Sequence, residues 1–373
     1  MGFSVDPDAV AALAKQPDRL AEHAKQGESY VAKSTDLDLT GEGLINLIAG
    51  GHSQVQEEVD RFLTTLAHPT ASSTAATLDS AAKYYQSMDA ASARELDATY
   101  PSSDVTGGEQ DAERLRATAG AFQDVTDPTV RYTPPADYNE EMPFEPHWSD
   151  LASPTSLLRD AIWKVTDAAA SLGICDRAYD PFEVFLKPVV GDWAGMRGSA
   201  DVFRNVGAAL ADMADNTRWS AQGISDAWTG NAADSCQAYL FVLAKALESA
   251  KQPLEQIAQE YEDAAVGAQK LSSSIGSLLS DISDAALAAV ASAAVSGLAG
   301  STGAGLPIAL IIGAFTLTRI YQVVHGVMQI LDLISRIRAA MDTFEGAAGD
   351  FGKIDANAPL PQLPTNSMMV PSP

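Results

Sequence analysis

Five histidines, two cysteines and a few adjacent acid pairs are the residues in this 373-residue chain whose types could carry chemistry. A zinc hydrolase needs two histidines one helical turn apart with a glutamate between them, and a structural metal site needs Cys or His at short spacing. His23, His52, His68, His147 and His325 fall into no such pattern, and Cys175 and Cys236 lie far apart without a CxxC neighbour. No glycine-rich loop of the phosphate-cradling or dinucleotide type occurs, and no serine sits in a Gly-x-Ser-x-Gly elbow. Glu57-Glu58 and Glu140-Glu141 stand in polar surroundings that solvate them. No enzyme activity, cofactor or metal is expected. The two cysteines are expected to be free buried thiols, with a disulfide open only to a fold that brings them together.

The elements around these residues follow from composition. Hydrophobic residues make up 46% of the chain and aromatics only 7%, with alanine and leucine prominent, which favours helix. The expectation is an all-α protein, an elongated bundle of long antiparallel hairpins. A net charge of −25 argues against nucleic acid, because phosphate contacts need clustered lysine and arginine. It also argues against electrostatic docking on anionic lipid. The stretch from Met1 to Asp8 has neither a basic region nor an apolar run, so it does not read as a Sec signal peptide.

The chain is organised around Asp226-Ala227-Trp228-Thr229-Gly230-Asn231-Ala232-Ala233, between helical patterns at about 195–222 and 232–280. Gly230 suits a tight reversal because it adopts positive φ without a Cβ clash. Asn231 is a good N-cap for the following helix. On spacing alone, Trp228 plugs the end of its own bundle.

Upstream, a first helix capped by Asp6 or Asp8 is expected to kink or divide at Pro17. Residues 44–66 form a second, thinned at Gly50-Gly51 and ended by His68-Pro69-Thr70. A third runs from about Ser72 to Ala98 and carries Tyr85 and Asp89 at i and i+4, on one face. On such a surface, replacing Tyr85 by alanine is expected to leave stability nearly unchanged. Residues 101–154 form a Pro-rich acidic linker, with a short helix at about 109–122, long enough to hold the two helical halves together. In the next segment, 155–284, Trp193 packs on the bundle end and Pro253 bends the long helix. No charged residue occurs from Ala285 to Thr318. That stretch opens an apolar helical hairpin over 285–346, each arm short for a membrane span, hidden in a core or oligomer or inserted in lipid. Residues 347–373 are expected to be a disordered tail.

The central stretch resembles the Trp-x-Gly, ESAT-like substrates of type VII (ESX) secretion in actinobacteria, whose two helices are joined by such a turn. Residues 78–91, with Tyr85-Gln86-Ser87-Met88-Asp89 at their centre, look like the ESX-secretion-associated proteins. The resemblance covers about residues 5–100 there. It implies that Tyr85 and Asp89 are an export signal of the Tyr-x-x-x-Asp type, and that Trp228, Gly230 and Asn231 form the hairpin turn. It further implies a type VII secretion ATPase as partner, together with a helical partner protein or a second copy, and secreted or cell-surface localisation by a Sec-independent route. In family heterodimers each chain brings one signal; this chain holds both. Tyr85 and Asp89 are therefore expected beside Trp228 and Gly230 at one bundle end. Two other functions stay open: a membrane-active protein using residues 285–334, and a toxin-like chain with a missing or unrecognised effector domain.

Overall fold

A computed structural model of the chain describes residues 3–39, 43–100, 122–139, 157–295, 314–351 and 354–363. The fold is all-α, with 83% of the described residues helical. Its main elements are β1 (Ser4–Val5), α1 (Pro7–Ser34), α2 (Ala49–Thr65), α3 (Ser72–Ser87), α4 (Ala90–Asp97), α5 (Leu157–Ser171), α6 (Trp193–Ala227), β2 (Trp228–Thr229), α7 (Asn231–Val295), α8 (Ala314–Phe351) and α9 (Ile354–Asn357). Helix α6 packs along α7, and α7 along α8; α1 lies between α3 and α6, while α8 reaches back to α2 and α5. One hydrophobic cluster runs through all of them, from Val10 to Ala358. An apolar stripe on a single helix is unstable in water, so each helix here is held by its neighbours.

Pro17 does not divide α1. The helix is continuous from Pro7 to Ser34, and Leu13, Leu20 and Ala24 bury the same face on both sides of the proline. Asp6 caps it, accepting from the amides of Asp8 and Ala9 at 3.0 and 3.3 Å. A 3₁₀ turn over Leu44–Ile48 leads directly into α2. The Gly50-Gly51 pair sits in the first turn of α2, where the Gly51 amide donates to the Glu345 carboxylate of α8 at 2.7 Å. An acid from another helix thus meets the positive end of α2.

The expected single helix over residues 72–98 is two helices. Met88 is extended (φ −103, ψ 153), and Asp89 restarts the chain as the N-cap of α4. A short acidic side chain that bonds nearby amides competes with helix continuation, and here it wins.

Residues 122–139 form a packed strap across α1 and α6. Asn216 accepts from the amides of Val125 and Thr126 at 2.8 and 3.0 Å and donates to the Thr126 carbonyl. Arg131 pairs with Asp212 at 2.7 Å, and the Tyr30 and Tyr132 rings lie 5.3 Å apart. Burial alone would raise the Asp124 carboxyl, but hydrogen bonds from His23 and Arg19 and the Arg19 charge hold it below the usual carboxylate range. Residues 122–139 thus bridge α1 and α6. Of the helix expected near 109–122, residues 109–121 lie outside the described residues, and Phe122 is a turn residue with φ +62.

Helix α7 runs through the boundary drawn between residues 284 and 285 and ends at Val295. Its last turns pair with α8: the hydroxyls of Ser292 and Thr316 meet at 2.8 Å. A Cβ at Gly326 would lie 2.6 Å from Ile282, so glycine sets the closest approach. Past residue 347 the chain is not a disordered tail throughout. Helix α9 packs on α7 and α2, burying Ile354 and Ala358, with Leu360 and Leu363 partly buried beside them. Trp193 is buried, its indole donating to the Val189 carbonyl at 2.9 Å. Cys175 and Cys236 are both free and half-buried.

Candidate functional site

The turn between α6 and α7 is built by three residues. Trp228 is extended (φ −144, ψ 128) while its amide still donates to the Ile224 carbonyl. Gly230 has φ +129, a conformation that strains residues bearing a Cβ. A Cβ there would also stand 2.6 Å from both Asp97 carboxylate oxygens. Glycine is required on both counts.

Asn231 is not the N-cap it was expected to be. It is the first residue of α7, and its side chain donates to the Tyr100 carbonyl at 3.2 Å. The cap comes from Asp97 at the end of α4. Its two oxygens accept from the amides of Asn231 at 3.1 Å and Ala232 at 2.9 Å. Asp97 is 7% exposed, so this carboxylate sits dry on the positive end of a 65-residue helix. No local spacing in the sequence announces it; only the fold brings α4 to the turn.

Tyr85 and Trp228 meet. Their ring centroids are 5.7 Å apart at 69°, edge to face, a geometry worth about 0.5–1.5 kcal/mol beyond burial. Each residue is 5% exposed. Tyr85 is therefore a core residue rather than a helix-surface one. The Tyr85 hydroxyl and the Trp228 indole N–H are both buried without a hydrogen-bond partner among the described residues. Each such group costs about 1–3 kcal/mol. Burial pushes the Tyr85 hydroxyl well above the usual tyrosine range, with Tyr100 and Asp97 adding to it. Burial likewise pushes the Cys236 thiol up to about 12.

Asp89 does not share that face. With α3 ended at Ser87, its carboxylate is exposed and accepts from the amides of Ala91 at 3.0 Å and Ser92 at 2.9 Å. Those bonds hold it below the usual carboxylate range. The i, i+4 pairing on one helix face is thus corrected. Of the two residues expected to form a signal, Tyr85 reaches the turn, and the acid at the turn is Asp97.

Strand β1, which nothing in the sequence marks, closes the site. It pairs antiparallel with β2, Ser4 opposite Thr229 and Val5 opposite Trp228. The Ser4 amide donates to the Thr229 hydroxyl at 3.0 Å, and the Asp6 amide to the Ala227 carbonyl at 2.9 Å. The Phe3 ring lies 6.0 Å from that of Tyr85.

A second polar cluster sits deep between α1, α2, α7 and α8. His52 meets the Thr35 carbonyl through Nε2 at 2.9 Å and the Tyr261 hydroxyl through Nδ1 at 2.6 Å. A carbonyl only accepts, so Nε2 carries the proton and Nδ1 accepts from Tyr261. Burial lowers the His52 pKa against the opposing effects of Thr35 and Asp36. Tyr261 is fully buried, with Phe344 edge-on at 4.7 Å.

No family model, no curated protein and no solved structure matches the chain.

Proposed function

We propose that the chain is a non-enzymatic substrate or secretion-associated protein of a type VII (ESX) system in an actinobacterium. It is exported by a Sec-independent route through Tyr85, Asp89 and the Trp228–Gly230 turn acting together. The supporting observation is the contact of Tyr85 with Trp228. Two elements that family heterodimers divide between chains are joined here within one. The type VII secretion ATPase is the partner that reads this signal, and a helical partner protein or second copy is not needed to complete it.

Asp89→Ser tests this directly, because serine keeps an N-cap while removing the charge. The variant is expected to fold and melt like the wild type but to disappear from the culture filtrate, and Asp89→Glu to remain exported. Normal export of a stable Asp89→Ser protein overturns the proposal.

A second reading has one observation behind it. Helix α7 contains an 18-residue window of mean hydropathy 1.3, 39% of it buried, long and apolar enough to cross a membrane. In that reading the exported protein is membrane-active. Co-sedimentation of purified protein with liposomes favours it, and recovery of all the protein in the supernatant removes it.

A further inference from the structure

We propose that residues 3–6 are a displaceable strap over Tyr85 and Trp228, and that its release presents the pair to a receptor. This rests on the export reading above. A recognition signal has to be touched, yet both rings are 5% exposed. What covers them includes Phe3, whose ring faces Tyr85, and Val5, which lies opposite Trp228.

The cover is lightly held. It is a two-residue strand with Ser4 exposed, held by its pairing with β2, by the Ser4 contacts with the Thr229 hydroxyl and by the Asp6 amide on the Ala227 carbonyl. It is also imperfect. With the strap in place, the Tyr85 hydroxyl and the Trp228 indole N–H have no partner among the described residues, and lifting it lets water reach them. A buried polar group without a partner disfavours the state that buries it. Closure is therefore opposed by the two side chains it hides. The hinge is already built: Asp6 caps α1 through its own side chain, so α1 keeps its first turn whether or not β1 is paired. Release also bares the edge of Trp228–Thr229, which an extended segment of a receptor can take by strand addition.

The test uses the full-length protein. Ser4→Pro removes the amide and the hydroxyl that grip Thr229. Ser4→Cys with Thr229→Cys, in a Cys175→Ser, Cys236→Ser background, staples the strap shut, since facing residues of an antiparallel pair lie within disulfide reach. Hydroxyl-radical footprinting read by peptide mass spectrometry is expected to show Tyr85 and Trp228 severalfold more reactive in Ser4→Pro. Both are expected to be less reactive in the oxidised staple than in its reduced form. Exported Ser4→Pro protein is expected to exceed wild type. Unchanged footprints in both variants overturn the strap. So does a raised footprint with unchanged export while Asp89→Ser still blocks export. If Asp89→Ser is exported normally, the export reading itself has failed and takes the strap's role with it, whatever the footprint shows.

Discussion

The Tyr85 ring meets the Trp228 indole edge-on, 5.7 Å between centroids, and neither polar atom of the pair has a partner among the described residues. The hydroxyl therefore adds nothing to stability while the ring adds much. Tyr85→Phe is expected to raise the unfolding free energy by about 1 kcal/mol or more, because it removes the unpaired hydroxyl. Tyr85→Ala is expected to lower it by about 3–5 kcal/mol through the cavity it leaves. Denaturant titration checks both, and a near-neutral Tyr85→Ala contradicts the buried placement.

The cap on α7 arrives from another helix, so its loss is felt far from Asp97 in sequence. Asp97→Ala is expected to cost about 1–3 kcal/mol, because two helix amides lose their acceptor in a dry site. Gly230→Ala is expected to cost a similar amount, through positive φ and the collision with Asp97. Thermal melts of both variants decide it; Asp97→Ala within 0.5 kcal/mol of wild type, roughly the error of such comparisons, removes the cap from the account.

His52 makes stability depend on pH. Its folded pKa lies below the ordinary value of 6.5, so the unfolded chain takes up the proton first. The stability from neutral His52 is present above pH 6.5 and is lost as the pH falls from there through the folded value. The slope approaches about 1.4 kcal/mol per pH unit between the two values. Comparing His52→Gln with wild type at pH 7.5 and pH 5, roughly one unit above and one and a half units below the ordinary histidine value, isolates it. Equal pH dependence in the two proteins contradicts the burial of a neutral imidazole.

Asn216 holds residues 125 and 126 of the strap across α1 and α6 through four hydrogen bonds. Asn216→Ala is expected to cost about 2 kcal/mol and to open residues 122–139 to limited proteolysis. A cleavage pattern like that of the wild type shows that the strap is held by its other contacts.

The helical class and the α6–α7 turn were legible because they are local: alanine-rich apolar stripes, and a glycine needed at one dihedral. The meeting of Tyr85 with Trp228 was expected from the resemblance, which put both motifs in this one chain and at one bundle end. What escaped depended on partners distant in the chain. Asp97 is an ordinary acid until α4 delivers it to α7. His52 is a lone histidine until Tyr261 faces it. Strand β1 is two residues long, too short for any period. The break at Met88 turned on whether Asp89 capped a new helix or continued the old one, and spacing favours neither. The ordered segment at 354–363 was hidden in a Gly- and Pro-rich composition, where four apolar residues suffice to dock it.

Export through the type VII machinery is the central claim, and the most direct test compares culture filtrates of the source organism with and without the secretion ATPase. The wild-type filtrate is expected to contain the protein, and the filtrate of the strain lacking the ATPase to contain none, with the protein retained in the cells. Equal amounts in both filtrates, with lysis excluded by a cytosolic marker, contradict the account.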